Sequence, residues 1–251
     1  MKKLLKAFCM SFSMFCAIPT PFSHVWEDSV RSLMLVVFPF VGTVIGGIWA
    51  LAAFLLDKIN CPQMFGAALL ALLPYLLSGG IHLDGYMDCC DAIFSRRPLE
   101  KKREILKDSH VGSFAVIALA TLFMFNFASF ASAEENTNMF ALVFICMVSR
   151  ACSAIGVSTL RPMGHSEYAG NFQKGISKGN ITAISAILVI SVALAYLICG
   201  NEGLVSCFAT VIGYIICTAY AFKNLDGFSG DVTGFGHTLA ELFGIVALTV
   251  F

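Results

Sequence analysis

Residues 32–56 read SLMLVVFPFVGTVIGGIWALAAFLL, twenty-five positions without one charged side chain. A helix that crosses a bilayer needs about 20 mostly apolar residues. A helix of a soluble protein keeps a polar face, and this stretch has none. The chain is therefore read as a membrane protein. Comparable stretches follow at 64–81, 111–133, 139–160, 181–199 and 204–222, and a shorter seventh runs over 239–251. The first 22 residues, MKKLLKAFCMSFSMFCAIPTPF, are basic and then apolar, as in a secretory signal. They lack a clean small-residue cleavage site before Pro19 and Pro21, so a retained helix lying in or near the interface is expected. The expected fold is all-α: one domain over 1–251, a polytopic transmembrane bundle of six to seven spans with that interfacial helix and cytoplasmic catalytic loops.

Composition agrees. Of 251 residues 58% are hydrophobic, 23 are phenylalanine and only 13% are charged, far from the usage of soluble domains. The formal net charge is zero, so no global basic field points to nucleic acid. The ten cysteines are scattered through apolar runs with no C-x-x-C pair, and are expected to be buried free thiols rather than a disulfide or zinc framework.

The basic residues choose the orientation, because short cytoplasmic loops retain Lys and Arg. With the 82–110 loop inside, alternation also puts the N-terminus, the 161–180 loop and the 223–237 loop inside. Of 16 Lys and Arg residues, Lys58 is then the one outside, Arg150 lies within a span and 14 face the cytoplasm. The outer loops are short: DKINCPQ, AEENTN and GNEG. All loops dense in Gly, Asp, His and Arg fall on the cytoplasmic side. Transporters more often carry polar groups along the midplane in interrupted, repeated halves, and no convincing internal repeat is found.

The densest chemistry is HLDGYMDCCDA, residues 82–92. Asp84, Asp88 and Asp91 stand at i, i+4 and i+7 and share one helical face within about 60°. Three carboxylates that close repel one another unless a cation or a cationic ligand intervenes. Oxygen ligands at this density suit Mg2+, which binds through one or two carboxylates plus substrate phosphates. Gly79 and Gly80, just before, allow a bend or a close approach to the backbone. A basic run, RRPLEKKREILKDSH, follows. Arg96, Arg97, Lys101 and Lys102 serve as positive-inside anchors, whereas Arg103 and Lys107 are candidates to hold phosphate oxygens. Asp108 is a candidate proton acceptor.

A second constellation, NLDGFSGDVTGFGHTLAELFG at 224–244, reads as a flexible glycine-rich loop entering the last helix. Backbone at Gly230 approaches phosphate while Asp231 holds the ion, making this the second half of a metal-diphosphate site. Arg150, mid-span, needs a carboxylate or a ligand phosphate beside it; a purely structural ion pair competes. The stretch RPMGHSEYAGNFQKGISKGN (161–180) reads as a mobile substrate loop or as ordinary turns.

Taken together, GGIHLDGYMDCCDAIF, ILKDSHVGSFAV, SRACSAI and GDVTGFGHTLAEL, with FPFVGTVIGG after the N-terminal helix, resemble the cobalamin synthase family, the adenosylcobinamide-GDP ribazoletransferases. The stretches run in order nearly end to end. Cys89 and Cys90 replace the usual small residues, and His110 stands where arginine is common. The resemblance implies an integral inner-membrane enzyme, with its site facing the cytoplasm, that joins adenosylcobinamide-GDP to α-ribazole or its 5′-phosphate and releases GMP, with Mg2+ as cofactor. It leaves open a homo-oligomer or association with other cobalamin-assembly enzymes. In that frame Asp84, Asp88, Asp91 and Asp231 are the expected metal ligands, and Arg103, Lys107, Arg150 and Gly230 the substrate contacts. The proton acceptor is Asp108, Glu241 or His82, and His82 has a second possible role in orienting a ligand aspartate. CDP-alcohol phosphotransferases are disfavoured because Tyr86, Met87, Asp88 and Cys89 follow the Asp-Gly pair, and prenyltransferases because they lack the SGDVTGFG ending. A cation transporter and a non-catalytic membrane scaffold are the readings from other classes.

Overall fold

The computed structural model describes residues 2–19, 27–164, 172–173 and 175–250; residues 165–171 and 174 of the expected substrate loop lie outside the described residues. Helix α1 (Lys2–Phe15) is followed by a single 3-10 turn (Asp28–Val30) and by α2 (Arg31–Lys58), α3 (Gln63–Leu77), α4 (Ile81–Phe94), α5 (Leu99–Ile105), α6 (Ser113–Ser132), α7 (Ala141–Thr159), α8 (Lys178–Leu225) and α9 (Gly230–Val250). Among the described residues no strand forms, only an isolated parallel bridge between Pro162 and Phe228.

Five of these helices are long and apolar enough to cross a membrane. The pair α3 and α4, bent by 95°, makes a sixth if taken as one span. The bend falls at Gly79 and Gly80, whose φ values of 68° and 75° lie where a Cβ is disfavoured. Helix α8 has 48 residues, about 70 Å if straight at 1.5 Å per residue, twice the hydrocarbon core. It breaks at Gly200 (φ 63°). A methyl group on Gly203 would fall 2.4 Å from the Ala195 carbonyl oxygen, so the chain doubles back there, and each arm covers one of the two stretches expected at 181–199 and 204–222.

Membrane helices have little hydrophobic drive toward one another and pack through small residues. Gly42 and Gly46 of α2 press on the backbone of α7 at Cys146 and at Leu142 and Val143. The outward faces carry Leu51, Phe54, Met64, Phe65, Met124, Phe125, Val189 and Ile215, all exposed, as lipid contact requires. The ten cysteines are free and all but Cys61 are buried, as expected.

One expectation is corrected. The glycine-rich stretch after Asp231 is not a flexible loop but the first half of α9, which begins at Gly230 and runs 21 residues. Its glycines are contact points. Gly236 meets Thr218 and Tyr214 of α8, and Gly244 meets Thr210 of α8 and Ile145 of α7. The last span is therefore full-length. Helix α9 packs against α4, α6, α7 and α8 and is the axis of the bundle.

Candidate active site

The site forms where α4 crosses the start of α9. A methyl group on Gly85 would lie 2.8 Å from the Asp231 Cα, and one on Gly234 would lie 2.6 Å from the His82 carbonyl oxygen. Only glycine at both positions lets the two backbones meet. Thr238 of α9 also donates to the His82 carbonyl at 3.3 Å. Because Asp84 and Asp88 flank Gly85, the crossing brings the first aspartate cluster to Asp231, although about 150 residues separate them in sequence.

Beside the crossing lies a cavity of about 380 Å³ bordered by Asp84, Asp231, Gly230, Ser229, His82, Arg103 and Lys107, among others. Asp84 is exposed and Asp88 and Asp231 partly so. Asp88 does not border the cavity, but the carboxylates of Asp84, Asp231 and Asp91 are near enough to act on it. Asp231 accepts from Ser229 Oγ at 3.3 Å. Among the described residues no cationic side chain pairs with Asp84, Asp88 or Asp231. Nor do three His, Cys, Asp or Glu side chains converge to enclose a metal. Such a donor set fits an ion that takes one or two carboxylates and completes its shell from phosphate, which is how Mg2+ binds.

Asp91 is placed differently from its two neighbours. It is buried, and its oxygens accept from the backbone N–H of Gly112 at 2.6 Å and of Ala115 at 2.9 Å. It thus satisfies the open N-terminus of α6, a role that a carboxylate fills well.

Arg103 donates to the Leu225 carbonyl at 3.2 Å and to the Asp226 carbonyl and side chain at 2.9 and 3.2 Å, and among the described residues its Nη1 takes no partner. Arg161 clasps the same Asp226 side chain at 2.5 Å. The Arg161 hydrogen bond, with both nearby positive charges, holds the Asp226 carboxyl below its usual range. This clamp fixes the turn between α8 and α9, so Arg103 and Ser229–Asp231 are held together. Lys107 borders the cavity and is exposed. Asp108 does not border it. Its carboxylate accepts from the ring and backbone of His110 at 2.6 and 3.0 Å, and the ring contact holds it below the usual carboxylate range.

A second cluster lies deeper, between α7 and α9. Arg150, 1% exposed, donates from Nη1 to Glu241 at 2.8 Å and to the Cys146 carbonyl at 3.0 Å. Glu241 also accepts from Ser149 at 2.9 Å and lies 3.2 Å from His237 Nε2. The other ring nitrogen of His237 is 3.2 Å from Ser153 Oγ. Neither Arg150 nor Glu241 borders the cavity. The His237 ring lies 4.1 Å, centroid to centroid, from the ring of His82. His82 is buried and borders the cavity, and among the described residues its Nε2 has no hydrogen-bond partner. A buried nitrogen left without a partner in a residue that lines a cavity is a candidate for a ligand hydroxyl.

Sequence reasoning overlooked the wall formed by Met14 and Phe15 of α1 and by Met163. It also gave no role to Ser149, Ser153 and His237. The signal for the last three was their spacing, with Ser149 and Ser153 one turn apart and His237 and Glu241 one turn apart. No comparable signal marked α1.

Residues 7–249 match the family model described as cobalamin-5-phosphate synthase. The chain belongs to the cobalamin-5-phosphate synthase family. Among its curated relatives, an adenosylcobinamide-GDP ribazoletransferase of Clostridium perfringens strain 13 is 37% identical over the full length of both chains. One of Clostridium botulinum strain Alaska E43 is 34% identical, again over both full lengths. One of Lachnoclostridium phytofermentans is 31% identical over 99% of this chain and 95% of its own. No solved structure matches. In this member of the cobalamin-5-phosphate synthase family, Cys89 and Cys90 are fully buried packing residues, and His110 serves as the partner of Asp108.

Proposed function

We propose that the chain is an adenosylcobinamide-GDP ribazoletransferase that acts with Mg2+ at the cytoplasmic face of the inner membrane. It transfers the cobinamide phosphate to a hydroxyl of α-ribazole, or of its 5′-phosphate, and releases GMP. The observation that carries this reading is the meeting of Asp84 and Asp231 at a cavity shared with Arg103 and Lys107, where among the described residues no cationic side chain forms an ion pair with either carboxylate.

Asp84 and Asp231, with Asp88 behind them, would hold Mg2+ against the diphosphate. When bound, the ion neutralises charge on the attacked phosphoryl group and on the departing phosphate. Arg103 Nη1 and the Lys107 ammonium take phosphate oxygens, which orients the phosphorus and favours release of GMP. The Gly230 N–H at the start of α9 supplies a further donor to the same oxygens. His82 accepts the proton of the ribazole hydroxyl on Nε2 and sets the attacking oxygen in line. It is preferred over Asp108, which is tied to His110 away from the cavity, and over Glu241, whose carboxylate is already held by Arg150 and Ser149. Asp91 and Arg150 support the site from outside the cavity, as a helix cap and as one half of a buried pair. The orientation rests on the basic residues, 14 of 16 of which alternation places on the side of the site.

Purified protein in nanodiscs, given both substrates and Mg2+, is expected to release GMP in step with cobalamin formation. Asp84→Asn and Asp231→Asn are each expected to abolish release with folding intact. Near-normal turnover in both variants removes the assignment. Ion flux in sealed liposomes, independent of substrate, would favour transport instead.

A further inference from the structure

We infer that the apolar lining of the active cavity, built by Met14 and Phe15 of α1 with Ile81, Leu106 and Met163, seats the benzimidazole base of the nucleoside substrate, and that the N-terminal helix thereby selects that base. This rests on the transfer reaction proposed above and says which part of which substrate each lining group meets.

Size comes first. A cavity of about 380 Å³ lies at the small end of ligand pockets, which run from about 300 to 1,000 Å³. It has room for a nucleoside against a diphosphate. A corrin macrocycle with its amide arms is several times larger than a nucleoside, so it stays outside the cavity mouth, with only its phosphate reaching in.

Two nucleosides then compete for the space, the guanosine of the activated substrate and the incoming ribazole. Guanine presents a carbonyl, a ring N–H and an exocyclic amine along one edge. On the wall made by Met14, Phe15, Leu106 and Met163 those groups would have no side-chain partners, the polar lining of Asp84, Arg103, Lys107 and Asp231 being assigned above to the ion and the diphosphate, and a buried polar group without a partner is strongly penalised. The base of α-ribazole is a benzimidazole whose outer edge bears two methyl groups, and that edge asks for nothing but apolar contact. The base with the hydrocarbon edge is the one that this lining accepts.

The chemistry of the lining side chains adds to this. Met14 and Met163 stand about 150 residues apart in the sequence, and thioether side chains adapt to a flat aromatic guest and make favourable sulfur–ring contacts. The end of α1 that carries Met14 is also held in position. Phe15 packs on Phe38 at 4.4 Å and on His82 at 5.9 Å, and the backbone N–H of Ala17 donates to the Leu77 carbonyl at 2.7 Å. The same aromatic contact puts the end of α1 beside the ring of His82. A base lodged on Met14 would therefore bring its ribose toward the group proposed to take the hydroxyl proton.

The test is kinetic, with the full chain in nanodiscs, varying each substrate at saturation of the other. Met14→Gln and Met163→Gln, close to methionine in size but polar, are expected to raise KM for α-ribazole about tenfold or more, the effect of a mismatched polar group in an apolar pocket. KM for adenosylcobinamide-GDP should move less than twofold. The preference for α-ribazole over an adenine riboside should shrink in the same variants. A rise confined to KM for adenosylcobinamide-GDP, or no change in either constant, overturns the inference. Should either glutamine variant fail to fold, alkylation of the thiol introduced by Met14→Cys is read by mass spectrometry: protection by α-ribazole but not by GMP supports the seat, and the reverse refutes it. Wild-type protein that releases no GMP defeats the transfer reading itself, whereas normal wild-type release with unaltered variants defeats only the seat.

Discussion

Asp231 and Glu241 stand ten residues apart on α9, about 15 Å along one helix, and they live in opposite circumstances. Asp231 borders the cavity with a serine hydroxyl as its side-chain partner among the described residues and with Asp84 across the helix crossing. Glu241, 4% exposed, is closed in by Arg150, Ser149 and His237. The deep end of the helix carries its own counter-charge, and the other end awaits one from outside. A carboxylate that is already matched is a joint between helices, since removing one member of a buried pair strands the other. A carboxylate that is unmatched beside like charges lowers the stability of the empty protein and becomes favourable only when a cation and its phosphate arrive.

The contrast can be broken most forcefully by neutralising each end in turn. Asp84→Asn and Asp231→Asn should lower kcat for GMP release roughly 100-fold or more, the scale set by loss of one charge-stabilising group. Their thermal unfolding temperature should stay level or rise, because a repulsion is relieved. Glu241→Gln should show the reverse pattern, with stability falling by about 3–5 kcal/mol as Arg150 is left buried and unpaired. Replacing both partners, Arg150→Met with Glu241→Leu, should recover most of that loss. Equal losses of activity at both ends without any difference in stability would erase the distinction.

Asp91 sharpens the comparison from inside the first cluster. It shares a helical face with Asp84 and Asp88, yet its oxygens cap α6. Asp91→Asn should cost about 1 kcal/mol, as loss of a cap does, and reduce turnover only severalfold. A loss as deep as that of Asp84→Asn would return Asp91 to the metal shell.

The smallest effect belongs to the surface clamp of Asp226 with Arg161 and Arg103. A carboxyl held below its ordinary range stabilises the fold at pH values above its unfolded pKa of about 3.9, and that contribution disappears as pH falls through the lower folded value. Asp226→Asn should therefore narrow its stability gap from the wild type as the medium is made strongly acidic, and leave the gap constant from pH 6 to 8. Unfolding followed across that range reads it directly.

The membrane bundle was plain in the sequence because apolar length is a one-dimensional property, and 32–56 shows it without any partner. The bend at Gly79 and Gly80 was equally local. Which helices touch is not local, and the misread stretch after Asp231 shows why. Glycines are helix breakers only when nothing rewards close approach, and here Gly234, Gly236 and Gly244 each meet another helix at distances a methyl group would not allow. The three aspartates of α4 could be placed on one face from their spacing, but not sorted into two that stand at the crossing and one that caps α6, because the N–H that Asp91 accepts from lies 21 residues on. Arg150 was foreseen to need a partner, and the partner proved to be a residue weighed as a proton acceptor. The role of α1 was invisible, since nothing in a basic-apolar leader tells which cavity its last turn will wall.

Manganese binding, followed by electron paramagnetic resonance on purified protein with and without a nucleoside-diphosphate ester, tests the shared metal seat without any need for turnover. The account predicts tight Mn2+ in the presence of the diphosphate, lost alike in Asp84→Asn and in Asp231→Asn. Wild-type affinity retained in either variant would contradict it.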